Sequence, residues 1–354
     1  MSQRLKVVVG NKRCSVEEVA LVALENAEVV LDSGKLELLS EEKDKGKTKS
    51  NAASGAALTS TVVEEAEESD FGSFTETDAR AIVLVKLISV IHGRAGVPVK
   101  VMRFMSWLLN AGVIPVLPIS DDDSAVLKHL TAVLQGEGQV WYHGNVTPTR
   151  EALAAADSSV TAPGMTTAER NSFISHGIAV STALAALAVY GAGALLDAAD
   201  NVAGLTCEAL QCNMEPFQIM HHDVPRPHQS QVQVANNLRT MLDGSKVLEN
   251  VKSEAPASLA AVPQLHGPVR DVFNAASKAV RVDLNSVEGG QDAPHWMGEF
   301  HTQPLVAPLA NLHTGLAVLA GASESRILGL IEAERKMNEN QQQQHSYLEV
   351  SFLF

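Results

Sequence analysis

The sequence predicts a mainly helical protein with a small mixed part at its N-terminus. Three observations carry that reading. Hydrophobic residues make up 45% of the 354 positions and aromatics only 4%, so the core is aliphatic, and an Ala-, Leu- and Val-based core favours packed helices over a β-sandwich. From Thr77 onward apolar residues recur at helical spacing, as in ARAIVLVKLISVIH and VKVMRFMSWLLNAG. Strand signals are few after residue 30. The length suits two ordinary domains or one large one.

In chain order, RLKVVV (4–9) reads as a short strand. Ser15-Val-Glu-Glu18 is a capping-box pattern that opens a helix over VEEVALVALENA. EVVLDSG follows as a second extended piece. Residues 41–70 combine a charge run with an Ala/Ser/Gly/Thr tract and predict a mobile loop. Gly93 sits where a C-cap would, and Pro98 is tolerated in the first turn of the next helix. Further helices are expected near 123–135, 147–156, 167–200, 202–213, 229–248, 265–282 and 303–335. The end, NENQQQQHSYLEVSFLF, is polar and low in complexity before it turns apolar, and predicts a poorly ordered or docked tail. The expected division is a small N-terminal segment (1–72), a helical bundle (73–335) and a tail (336–354).

Composition narrows the function classes. Lys and Arg total 27 against 41 Asp and Glu, a net charge of −14. Such a chain has no electrostatic footprint for nucleic acid or an anionic membrane. Cys14, Cys207 and Cys212 form no CxxC pair and no disulfide framework, which suits a reducing compartment. MSQRLKVVVGNKR lacks the long apolar stretch of a signal peptide, so the expected localisation is cytoplasmic. One stretch competes with a non-membrane reading: no charged residue lies between Arg170 and Asp197, a span long enough for a bilayer. Its Ala, Gly, Ser and Thr content favours a buried core helix, because small residues let backbones approach closely.

Three groups of segments occur in a recognisable order. The first is GRAGVPVKVMRFMSWLLNAGVIPVLP (93–118) with LQGEG (134–138). The second is ISHGIAVSTALAAL (174–187) with LTCEAL (205–210). The third is VPQLHGPVRD (262–271), LNSVEGG (284–290), GEFHTQP (298–304) and ASESRI (322–327). Together they resemble the histidine and phenylalanine ammonia-lyase family over roughly residues 75–335. The resemblance implies a long antiparallel helical bundle of the ammonia-lyase/fumarase-like type and assembly as a homotetramer. It also implies a chemistry. An internal Ala-Ser-Gly cyclises to a methylideneimidazolone, which attacks the amino acid and turns its amine into a leaving group. A tyrosine takes the β-proton and an arginine holds the carboxylate.

At the positions implied by the resemblance, those groups are replaced. Counting back from Gly136-Glu137-Gly138 places Ser120, Asp121 and Asp122 at the tripeptide. Ring closure needs the flexible glycine nitrogen and a dehydratable central serine, so that group is expected to be absent. Counting back from Pro263-Gln264, the tyrosine position is Ala257 and the carboxylate-binding arginine is Ala260. The active-site asparagine falls on His176. The tyrosine loop near the N-terminus has only Ser69-Asp70-Phe71-Gly72 as a faint counterpart. Residues that do match, among them Asn110, Gly112, Gly136, Gly138, Gln264, His266, Gly267, Arg270 and Asn285, are mostly of the kind that sets helix ends and close packing. Without an electrophile the amine leaves poorly, and general acid–base catalysis supplies only about 10²–10⁴-fold.

Other candidates have plainer readings beside the functional one. Ala53-Ser54-Gly55 spells the tripeptide, but within the charged 41–70 segment, upstream of every matching stretch. Asp121, Asp122 and Asp123 can ligate a divalent cation or start a helix. His221, His222 and the nearby His228 have no standard zinc spacing and flank Pro225 and Pro227. His176 is a weak candidate for a general base or binding group, and Gln264 and Asn285 are weak binding candidates. Cys207 and Cys212 fit buried hydrophobic positions. The expected function is a histidine ammonia-lyase-like pseudoenzyme, structural or regulatory, without a cofactor or metal. It would be homo-oligomeric and able to associate with a related active lyase. The alternatives are an enzyme of another class using Asp121–Asp123 or His176, or an ammonia-lyase of histidine catabolism, a carbon–nitrogen lyase.

Overall fold

The computed structural model describes residues 4–10, 12–46, 72–93, 97–175, 178–251, 253–286 and 302–351. The chain forms two compact units, residues 1–190 with 277–306 and residues 191–276 with 307–354. Helices dominate both, as the composition predicts.

In the first unit, β1 (Lys6–Val9) and β2 (Glu28–Leu31) pair in parallel, with Lys6 opposite Glu28. Between them in sequence is α1 (Val16–Glu25). Its predicted capping box is present: Ser15 Oγ accepts from Glu18 N, and the Glu18 carboxylate accepts from Ser15 N. Asn26, with φ of 56°, turns the chain out of the helix. The helix α2 (Ser33–Gly46) corrects the expectation of a loop beginning at residue 41. Its Lys- and Glu-rich sequence has good helix propensity, which outweighed the charge run. Residues 47–71, the rest of that expected loop, lie outside the described residues.

The centre of this unit is α3 (Glu76–His92), in which every residue from Ala79 to Ile88 is buried. A helix apolar around most of its circumference is a core helix. α4 (Val99–Ala111) packs on it and carries two polar residues that read the edge of β2. Ser106 Oγ donates to Val29 O at 3.0 Å, and Asn110 both donates to Val29 O and accepts from Val29 N. Gly112, with φ of 68°, ends α4 and leads into β3 (Ile114–Pro115). After α5 (Asp123–Val133), the hairpin of β4 (Gln139–Tyr142) and β5 (Asn145–Pro148) completes an antiparallel sheet in the order β3-β4-β5. The sequence reading missed this hairpin. Its turn uses His143 and Gly144, both at positive φ, the backbone that two-residue hairpin turns require. Next come α6 (Thr149–Ala156) and α7 (Thr167–Ser175).

α8 (Ala179–Leu210) is one continuous helix, where two had been expected. It ends at Gln211, whose φ is 49°. The second unit then contains α9 (Ile219–His222), α10 (Gln229–Leu242), α11 (Ala257–Ala260), most of α12 (Val262–Leu284) and most of α13 (Gln303–Ser351). Its core gathers Ala203, Cys207, Phe217, Val234, Leu238 and Val262. Each large side chain buried this way contributes about 1.5–3 kcal/mol. Gly267 lets α12 lie against α10, since a Cβ there would stand 2.8 Å from the Gln231 backbone. α10 stops at Leu242 rather than near 248, where Gly244 takes a φ of 70°. The backbone of α13 runs through Ser351, so the helix extends past residue 335, where the sequence reading ended it, into the segment expected to be a poorly ordered or docked tail. Gln and Glu are adequate helix formers, and low complexity is not by itself disorder.

Among the described residues, two stretches, Thr167–Leu210 from the start of α7 to the end of α8 and Gln303–Glu332 of α13, are long and apolar enough to cross a membrane by length and composition. Of their most apolar windows, 44% and 22% are buried within the protein. The first contains the uncharged stretch singled out in the sequence, and Val180, Ala183, Ala186 and Val189 on it are core residues.

Candidate functional site

Ser120–Asp122, the segment that the resemblance sets against the tripeptide, lies at the exit of an extended stretch. Val116 N donates to Gln139 O at 3.0 Å on one side. On the other, Phe74 N donates to Leu117 O and Ile119 N to Gly72 O, at 2.9 and 3.0 Å. Ser120, Asp121 and Asp122 then form a turn into α5. Ser120 Oγ accepts from Asp122 N at 3.1 Å, and Asp122 is the N-cap, accepting from Ser124 N and Ser124 Oγ at 2.9 and 2.5 Å. Those hydrogen bonds, with the Ser124 side chain first, hold the Asp122 carboxyl below its ordinary range. Asp121 is exposed.

Asp123 behaves differently. It is half-buried, and Ser181 Oγ and N, at the start of α8, lie 3.3 and 3.5 Å from its carboxylate. Burial pushes its pKa up, against those bonds. The three carboxylates therefore diverge into one exposed, one capping and one turned toward α8. Among the described residues no group of three or more His, Cys, Asp or Glu side chains is placed to hold a metal ion. At Ser120–Asp122 the two aspartates carry side-chain carboxylates, and that of Asp122 is engaged in capping α5. His176 lies outside the described residues, as do Ala53-Ser54-Gly55 and residues 69–71. The sequence reading passed over Lys86, fully buried on α3, whose Nζ stands 5.0 Å from the centroid of the Phe173 ring. That is a cation–π contact in an apolar core.

The remaining positions serve structure. Asn285 in the first unit clamps a distant backbone, accepting from Cys14 N at 2.7 Å and donating to Cys14 O at 2.8 Å. Burial pushes the Cys14 thiol up to about 12. In the second unit Ala257 is exposed on α11, Ala260 is half-buried and Gln264 is exposed. His222 is buried with both ring nitrogens engaged. Nε2 faces Pro216 O at 2.8 Å and Nδ1 faces the Gln231 amide nitrogen at 2.8 Å, an arrangement that assigns the proton to Nε2. His221 is exposed and meets Glu215 at 3.0 Å. Cys207 and Cys212 are both buried, and Cys212 N donates to Cys207 O at 3.2 Å.

The densest polar cluster of the second unit was half visible in the sequence. His266, Arg270 and Arg326 lie in the VPQLHGPVRD and ASESRI segments that matched the family pattern, whereas Asp200 carried no motif. Asp200 Oδ1 lies 2.7 Å from His266 Nδ1, and Oδ2 accepts from Arg270 Nη2 at 2.7 Å and Asn237 Nδ2 at 3.3 Å. Arg326 Nη1 faces His266 Nε2 at 3.3 Å. Burial pushes the Asp200 carboxyl up, but the His266 bond and the Arg270 charge outweigh it, so its pKa is lowered.

Residues 46–351 match the family model for aromatic amino acid lyases. The chain belongs to the aromatic amino acid lyase family. It is 34% identical over 284 residues to histidine ammonia-lyase of Koribacter versatilis, covering 73% of this chain and 54% of that one. The structure of tyrosine aminomutase from Streptomyces globisporus superposes with a TM-score of 0.78 at 26% identity, covering 91% of this chain and 70% of that one. Histidine ammonia-lyase from Trypanosoma cruzi shares the fold, with a TM-score of 0.75 at 21% identity, covering 91% and 66%. The chain spans about half the length of the curated relatives it matches. The mainly helical lyase fold and membership of a carbon–nitrogen lyase family follow from these matches.

Proposed function

We propose that this chain is a histidine ammonia-lyase-like protein that lacks deamination by the family's electrophile and acts as a structural or regulatory homologue. The observation that carries the reading is the Ser120–Asp122 turn. A capping aspartate and an exposed aspartate stand where the cyclising residues belong. Ala257 and Ala260 support it, because a methyl group neither removes a proton nor pairs with a carboxylate. On this reading the protein carries no methylideneimidazolone and no metal, and it works in the cytoplasm.

Self-association, or association with an active lyase of the same fold, is part of the proposal. In the second unit Leu195, Val202 and Leu205 of α8 and Ile327, Leu328 and Ile331 of α13 are each half or more exposed. Exposed apolar side chains in these numbers favour burial against another chain.

Intact mass tests the chemistry. The mass of the encoded chain is expected, with no turnover of histidine or phenylalanine. A deficit of two waters would mean that a tripeptide had cyclised, Ala53-Ser54-Gly55 being the Ala-Ser-Gly concerned, and the inactive reading would fall. Sedimentation of the purified protein tests the association, and a monomer at micromolar concentration would count against it.

A further inference from the structure

The first unit contains a polar cleft that the lyase chemistry does not use. It encloses about 240 Å³ and is lined by Arg4, Asn26, Glu76, Arg80, Tyr142 and His143, together with the last turn of α4. Arg80 is fixed in place: Nε donates to Val22 O at 3.2 Å, and Nη2 donates to Leu109 O at 3.1 Å. Those bonds leave Nη1, which stands 3.9 Å from a Glu76 carboxylate oxygen, too far for a hydrogen bond. Arg4 reaches the same helix end, with Nη1 donating to Asn110 O at 3.4 Å. Burial lowers the Arg80 pKa; Glu76 opposes this, and the neighbouring Arg4 charge lowers it further. The ring of His143 lies over Tyr142 with centroids 4.2 Å apart.

A plainer account has the two arginines capping α4. The carbonyl end of a helix carries only about half a negative charge, and one guanidinium answers it. Two guanidiniums facing a single carboxylate leave a local positive excess in a chain whose net charge is −14. The volume is below the roughly 300–1,000 Å³ of drug-sized pockets, so the cleft suits a small solute. The planar guanidinium fork matches an oxyanion.

We propose that this cleft binds a small oxyanion, a carboxylate or a phosphate, through Arg80 Nη1, Arg4 and His143. The anion would bridge the N-terminal strand, the start of α3 and the β4–β5 turn, and so tie together three separate parts of the first unit.

Thermal unfolding and calorimetric titration of the whole chain test this, with inorganic phosphate and with malonate, each against sodium chloride at equal ionic strength. Saturable stabilisation by at least one of them is expected, half-saturating near about 1 mM. The double variant Arg4→Gln, His143→Asn is expected to raise that concentration tenfold or more while leaving the melting temperature in chloride unchanged. Asparagine keeps the left-handed backbone at 143 accessible, and Arg80 is left intact because it holds α1 and α4. Response to phosphate alone or to malonate alone would support the site and assign its class. No response beyond chloride from either, or equal binding by the variant, would overturn it.

Discussion

In the first unit, Asp121 and Asp122 stand at the surface of a turn, one exposed and one capping α5. In the second, Asp200 is buried and engaged by a histidine, an arginine and an asparagine. The first region is the one that the family resemblance sets against the tripeptide, and the second joins α8, α10 and α12. The difference teaches how a fold is kept. Polar residues that join elements in a low-dielectric core are costly to change singly, because each leaves the others unpaired. Residues on a surface turn are free to vary once no reaction depends on them.

The largest effect is expected at Asp200. Asp200→Ala leaves the buried His266 Nδ1 without its partner and Arg270 with only the exposed Asp197, and should cost about 3–5 kcal/mol, measured by denaturant unfolding. A cost no greater than that of a surface substitution would erase the contrast. Gly267→Ala should come next, at about 1–3 kcal/mol, because its Cβ meets the Gln231 backbone at 2.8 Å. Asn285→Ala should cost about 1–2 kcal/mol and speed amide exchange at Cys14; unchanged exchange there would mean the clamp is idle. Asp122→Ala should cost about 1 kcal/mol through the lost cap. A much larger loss would give that turn a role beyond capping.

Acid titration sharpens the same contrast. The Asp200 pKa is lowered in the folded protein. Its contribution is therefore complete above the ordinary carboxylate value near 3.9 and is lost as pH falls through the lower folded value. Asp123 runs the other way: its pKa is raised, so stability falls as pH rises from the ordinary value through the folded one. Asp200→Asn should flatten the acid limb of the stability profile, and Asp123→Asn should flatten the opposite slope. Profiles identical to the parent in both variants would contradict these assignments.

Much of the first unit was legible because its signals are local. The Ser15–Glu18 box and the glycines at 136 and 138 each act within a few residues, whereas the Thr75 cap with Asp78 at the head of α3 was passed over. The β4–β5 hairpin was hidden because a histidine occupies a turn position that asparagine more often marks. The place of Asp200 in its cluster was hidden for a different reason. α8 is rich in alanine on all sides, so its buried face has no periodic mark, and partners such as His266 and Arg326 lie 66 and 126 positions away in sequence. At the candidate site, the replacements at 120–122, 257 and 260 are visible from letters alone. The divergence of Asp122 and Asp123 needed the backbone.

The clamp of Asn285 on Cys14 joins residues 271 positions apart. A ribosome delivers about 5–20 residues per second, so the N-terminal strand and helix wait on the order of 15–55 s for that partner to emerge. During that interval the α1 entrance lacks the side chain that satisfies the Cys14 amide and carbonyl. The closure that follows is long-range and carries the entropy of a large loop. Assembly of the first unit is thus timed by the arrival of a late segment, and a nascent chain released before residue 285 would expose its N-terminal part unlatched.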